Sequence, residues 1–139
     1  MNNEFLSTFR FVLATSEHDK QRVFSLRHRV FCEELGFFSL NLVDRIEQDA
    51  FDADSLHCLI EHRVTGLTIG CLRVVIADPE GSEHLVLPAQ RLCQAQGVPI
   101  SLDGKGTSRE RLCEISRIAI PRYFRTGGRD AKDLSLIHI

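Results

Sequence analysis

The sequence has no tryptophan, one tyrosine, one methionine and four prolines in 139 residues. It has no long apolar run either. Its longest apolar stretches fall well short of the ~20 residues that cross a bilayer, so no membrane span is expected. The opening Met1-Asn2-Asn3-Glu4 carries an acid and no basic segment, and no long apolar stretch follows. A secretory leader is therefore not expected, and the cytoplasm is the default location. No C-x-x-C pair occurs. Cys32, Cys58, Cys71, Cys93 and Cys113 are odd in number and widely spaced, which argues against a disulfide framework and a zinc site and for reduced, mostly buried thiols. The six histidines show no ligand spacing, so they are read as structural or surface residues and no metal is expected. A net charge of −2 gives no strong pull toward nucleic acid. Repeats and low-complexity tracts are also absent.

What remains is ordinary for a globular chain: 43% apolar and 26% charged residues, enough for one domain around one core. The charge is placed unevenly. Glu33 to Asp54 holds seven acids against the single base Arg45, whereas Lys105 to Asp133 holds eight bases against four acids. An acidic loop and a basic segment in one domain point to a site with two differently charged sides.

The alternation of Phe9, Phe11 and Leu13 predicts a strand over 9–15. Ser16 with Asp19 reads as a helix cap, and Val23, Leu26, Val30, Phe31 and Leu35 recur at helical spacing. A helix is predicted over 17–35, stopped by Gly36. Residues 37–54 read as a long acidic loop, and a structureless connection of that length hints at function. Two strands, 56–63 and 67–77, are joined by a turn at Val64-Thr65-Gly66. A short helix is predicted over 88–96 behind Pro88, a Gly-containing loop over 101–108, and a strand over 112–120 that ends at Pro121. This order implies an α+β fold with a mostly antiparallel sheet flanked by helices.

Four ordered segments carry a resemblance. They are Leu26-Arg27-His28-Arg29-Val30-Phe31 running to Glu34-Leu35-Gly36-Phe37; Glu47-Gln48-Asp49-Ala50-Phe51-Asp52; Gly70-Cys71-Leu72-Arg73; and Glu114-Ile115-Ser116-Arg117 running into Ile118-Ala119-Ile120-Pro121-Arg122-Tyr123-Phe124-Arg125. Together they resemble the acyl-homoserine-lactone (autoinducer) synthases, the N-acyl amino acid synthases and the PEP-CTERM/exosortase-associated acyltransferases, all GNAT-like. The resemblance implies a GNAT-like fold and an N-acyltransferase that moves a fatty acyl group from an acyl carrier protein thioester, or from acyl-CoA, to a small amine. No bound cofactor is implied; the acyl-phosphopantetheine thioester is the co-substrate. It also implies that Arg27, Phe31 and Phe37 shape the amine site, that Glu47, Asp49 and Asp52 form an acidic trio paired with Arg73, and that Glu114 and Arg117 are an acid and a base on one strand. Arg125-Thr126-Gly127-Gly128-Arg129 loosely matches the phosphate-binding turn that follows that strand. The autoinducer synthases usually carry tryptophan at the position of Phe37. Its absence disfavours S-adenosylmethionine as amine donor and favours the amino-acid-acylating relatives. The closing Leu134-Ser135-Leu136-Ile137-His138-Ile139 reads as a translated sequencing adapter. The expected organisation is therefore 1–133 as the N-terminal part of one GNAT-like domain, truncated at its C-terminus, and 134–139 as a non-native tail.

Each group also has a plainer reading. Amine attack on a thioester needs a proton acceptor, and Glu47 and Glu114 are the candidates. By itself, the set Glu47, Asp49, Asp52 is a solvated loop; it lacks the glycine and distal Glu of an EF-hand. Arg73 falls on the apolar face of Leu67, Ile69, Cys71 and Val75, so it should be buried and paired with Asp49 or Asp52. Phe31 is read as core and Arg27 as the polar edge of the helix. Glu114 and Arg117, three apart, share a face only if a bulge intervenes, which would also free backbone N–H groups for an oxyanion. Arg122, Arg125, Gly127, Gly128 and Arg129 are either a solvated basic turn or a seat for phosphopantetheine phosphate and an acidic carrier protein. The competing functions are an autoinducer synthase, a non-catalytic acyl- or carrier-binding domain, and an inactive fragment.

Overall fold

Ser16 opens the first long helix as the sequence predicts. Its hydroxyl accepts the Asp19 N–H at 3.1 Å and donates to the Asp19 carboxylate at 2.8 Å, so the helix start is closed from both sides. The computed structural model describes residues 3–40, 43–77, 87–98 and 112–125. Within them the order is α1 (Asn3–Thr8), β1 (Phe9–Leu13), α2 (Glu17–Arg27), a π-helical segment (His28–Glu34), a 3-10 turn (Asp52–Asp54), β2 (Ser55–His62), β3 (Thr68–Ile76), α3 (Pro88–Ala95), β4 (Cys113–Ala119) and α4 (Arg122–Arg125). The class is α+β. The strands run β1-β2-β3-β4 across one sheet. β1 pairs antiparallel with β2 from Phe9↔His62 to Leu13↔Cys58. The β2–β3 turn closes with the His62 N–H on the Leu67 carbonyl, and Gly66 takes a left-handed φ of 68° there.

One predicted element differs, and two elements are present that the sequence reading did not contain. The single helix over 17–35 changes hydrogen-bond pattern at His28, and the Leu35 N–H reaches the Val30 carbonyl, an i→i+5 bond. α1 and α4 were not anticipated, because segments this short carry too little periodicity to read. The basic turn beyond Arg125, including Gly127, Gly128 and Arg129, and the expected tail 134–139 lie outside the described residues, as does the whole loop over 101–108.

The described residues divide into two compact units. In the first (1–48, 57–72, 117–139), Val23, Phe24, Leu26 and Val30 from the helix pack with Ala14, Leu59, Cys71 and Ala119 from the sheet. In the second (49–56, 73–116), Val75, Ala77 and Leu87 form a smaller core that Phe51 and Leu112 flank. Only Cys32 and Cys71 of the cysteines are fully buried, fewer than expected; Cys113 is exposed. Burial pushes the thiols of Cys32 and Cys58 up, and that of Cys71 to about 12. These three are protonated at neutral pH and poor nucleophiles.

An ion-pair network ties the first unit's helix to its strands. Glu61 on β2, 3% exposed, accepts from Arg10 on β1 at 2.7 Å and from Arg22 on α2, and Arg22 also donates to Thr68 on β3 at 2.7 Å. Desolvation raises the Glu61 pKa, but the Arg22 and Arg10 hydrogen bonds together outweigh it and hold the carboxyl below its ordinary 4.5. A depressed folded-state pKa contributes stability above the unfolded value, and that stability is lost as pH falls through the folded one. Glu61→Gln is expected to cost about 2 kcal/mol near neutral pH and to flatten the stability profile below about pH 4.5, read by urea melts across pH.

Candidate functional site

Glu47 sits in the first unit with its backbone N–H on the Phe24 carbonyl, 3.1 Å away, which fixes the acidic loop to the end of α2. Its carboxylate, 8% exposed, lies between two guanidinium groups. Arg27 brings both Nε and Nη2 to Oε2 at 2.5 Å. Arg117 brings Nε to Oε1 at 3.2 Å and to Oε2 at 3.3 Å. Arg27 is 0% exposed, which corrects its reading as a polar helix edge. A buried arginine needs a carboxylate, and Glu47, which reaches it, is 20 residues away in the loop. The sequence reading put Glu47 with Arg73; the structure instead places it with Arg27 and Arg117.

Arg117 adopts φ +53°, a left-handed conformation that is uncommon outside glycine. The inside–outside alternation of β4 slips by one step at Ser116–Arg117. Together these mark the irregularity expected of a bulge. The Arg117 guanidinium also lies over the Phe38 ring at 4.7 Å. Phe38 meets Phe31 edge-on at 5.9 Å, and Phe31 stacks with Phe37 at 6.5 Å. Phe31 is half-buried: it packs against the first unit's core, as expected, and its ring also belongs to this aromatic cluster, of which Phe37, 67% exposed, is the open side. Phe38 was missed from the sequence; its adjacency to Phe37 was the only signal.

The second unit holds a separate cluster. Arg73, 0% exposed, points Nη1 at Asp49 (2.6 Å) and Asp52 (2.9 Å), and Nε at Ser116 Oγ (3.1 Å). Its Nη2 is buried with no hydrogen-bond acceptor among the described residues. Asp52 also accepts the Asp49 N–H at 2.7 Å, so the acidic turn is pre-shaped around the guanidinium. Phe51 lies beneath both Arg73 and Arg91, each 5.7 Å from its ring. Glu114 accepts the Ala89 N–H near the start of α3 at 2.8 Å, a bond that anchors that helix. Ser116 lies in the fourth resembling segment, where the resemblance implies no role for it.

Of the basic residues expected to take phosphate, Arg122 and Arg125 are described. The Arg122 N–H (2.7 Å) and Arg125 Nη2 (2.9 Å) both meet Glu34, and Arg29 Nε approaches it at 3.4 Å. No group of His, Cys, Asp and Glu that would hold a metal occurs among the described residues. No described helix is long and apolar enough to cross a membrane.

Against models of known families, the chain matches the acetyltransferase (GNAT) domain over residues 26–132. The chain belongs to the GNAT acetyltransferases. The matched span runs from the residue before Arg27 past Arg129, so it contains every candidate site residue. This GNAT domain is accordingly an acyltransferase fold whose family uses an acyl-CoA thioester as co-substrate. Neither the search of curated proteins nor that of solved structures returned a match.

Proposed function

We propose that this GNAT domain transfers a fatty acyl group from the phosphopantetheine thioester of an acyl carrier protein to the amine of an amino acid or related small molecule. The observation that carries the reading is Glu47 held between Arg27 and Arg117 beside the Phe31–Phe37–Phe38 cluster. The Arg117 guanidinium, partly exposed, suits the carboxylate of an amino acid, and an open aromatic surface suits its apolar part. In the reaction the amine nitrogen attacks the thioester carbonyl, the C–N bond forms, the C–S bond breaks and the thiol leaves. The ammonium proton must be lost first, and Glu47 is the proposed acceptor, directly or through one water. Glu114 is the second candidate and is tested in the same way. The irregular backbone at Arg117 is a source of N–H groups for the developing oxyanion. Asp49, Asp52 and Arg73 are proposed in their own right as substrate-binding residues of the second unit, and the basic residues from Arg122 to Arg129 take the phosphopantetheine phosphate and an acidic carrier protein.

Phe37, where tryptophan would favour S-adenosylmethionine, is why an amino acid is preferred. The chain is incubated with acyl carrier protein thioesters or acyl-CoA and a mixture of amino acids or S-adenosylmethionine, and products are read by mass spectrometry. An N-acyl amino acid made from the carrier thioester supports the proposal. An acyl-homoserine lactone moves it to the autoinducer synthases. Binding of the thioester without any product marks a non-catalytic domain.

A further inference from the structure

Glu34, at the end of the π-helical segment, gathers groups of three arginines around one carboxylate. Its side chain is only 14% exposed, yet the groups around it are open: Arg29 is 56% exposed and Arg125 is 37% exposed. It accepts one backbone N–H from Arg122 and one side-chain bond from Arg125, with Arg29 in ion-pair range at 3.4 Å, a mixture of main-chain and guanidinium groups that also suits a phosphate oxygen.

The segment that carries Glu34 is itself irregular. His28–Glu34 is π-helical, a geometry rare beyond a single turn and frequent at functional sites. His28, at its start, is 1% exposed, and its Nε2 has no hydrogen-bond partner among the described residues, so this packing leaves a buried polar atom unsatisfied. Resetting a π turn to α-helical bonding shifts the last turn by one residue, roughly a 100° rotation about the axis, which would carry Glu34 off its arginines. The Leu35 and Phe37 amides, bonded to the Val30 and Phe31 carbonyls, would change partners in that reset.

We infer that Glu34 is an internal occupant of an anion site formed by Arg29, Arg122 and Arg125, and that a phosphate or pyrophosphate group binds there by displacing it as the π segment rearranges. The inference rests on reading Arg122 and Arg125 as phosphate-binding residues and adds that the site is gated by the chain's own carboxylate. Inorganic pyrophosphate is the probe, because it needs no acyl donor; titration calorimetry on the full chain at low salt reads its affinity.

Glu34→Gln is expected to bind pyrophosphate about tenfold more tightly than the unaltered chain, and Arg125→Gln in that background is expected to abolish the gain. Equal or weaker binding by Glu34→Gln, or no binding by either chain, overturns the inference. As a check independent of substitution, hydrogen exchange on the unaltered chain with saturating pyrophosphate should change at Leu35 and Phe37; binding that leaves both amides as they were also overturns it. A chain that makes no acylated product while Glu34→Gln still gains pyrophosphate affinity would sink the acyltransferase proposal and leave the gate standing. The anion's natural source is read from KM: a larger fall in Glu34→Gln with coenzyme A thioesters than with carrier thioesters marks the pyrophosphate arm of the former, and the reverse marks the carrier-bound phosphate.

Discussion

Arg73→Ala is expected to lower the melting temperature by roughly 10–15 °C. Removing one partner of a buried ion pair costs about 3–5 kcal/mol, and a chain of this size loses about 3 °C per kcal/mol. The cost is high because Arg73 serves several acceptors at once. Its removal leaves Asp52, whose side chain is 0% exposed, without the guanidinium 2.9 Å away, and leaves Ser116 without its Nε donor. It also takes the cation from one face of Phe51. The double variant Arg73→Met/Asp52→Leu should recover part of the loss, since apolar replacements do not strand a charge. Recovery will be incomplete, because Asp52 also holds the Asp49 N–H. Thermal melts of the three chains check this. A loss of under about 1 kcal/mol in Arg73→Ala would mean that the guanidinium is solvated rather than buried.

Glu47→Gln is expected to reduce the acyl-transfer rate by about 10²–10⁴-fold, the range for a removed proton acceptor, with a smaller change in KM for the thioester. The substitution keeps the shape of the side chain but removes its charge from between Arg27 and Arg117. It should therefore also destabilise the fold, by about 2 kcal/mol, through the weakened bonds to the fully buried Arg27. The two effects separate by temperature: well below the melt, the rate loss persists in a fully folded sample. If the folded variant retains more than about a tenth of the rate, Glu47 is structural and Glu114→Gln becomes the decisive comparison.

How far the sequence could be read differs from element to element for physical reasons. The α2 start was legible because Ser16 and Asp19 act locally, within one turn. The hairpin was legible because Gly66 marks a left-handed position between two alternating runs. The burial of Arg73 was legible because its strand neighbours of the same parity are apolar, and an inward arginine in such company requires a carboxylate. The burial of Arg27 was not, because its partner Glu47 lies in a loop with no periodicity of its own; only the fold brings the two together. The resemblance grouped Glu47 with Asp49 and Asp52 as one trio, although its carboxylate meets different arginines. The π segment was invisible, since i→i+4 and i→i+5 bonding draw on the same residues. The irregularity at Arg117 was reached only as a condition, from the spacing of Glu114 and Arg117, because no side-chain pattern announces a positive φ in an arginine.

The acyltransferase class rests on the family match, whereas the assignment of residues rests on the Arg27–Glu47–Arg117 cluster and its aromatic neighbours. A crystal structure with a bisubstrate analogue, an N-acyl amino acid joined through a stable linker to phosphopantetheine, tests that assignment most directly. The amide nitrogen is expected within about 3–4 Å of the Glu47 carboxylate or one water away from it, with the amino-acid carboxylate on a guanidinium of the cluster. An analogue bound with that nitrogen far from Glu47, and with Phe31, Phe37 and Phe38 untouched, would contradict the assignment.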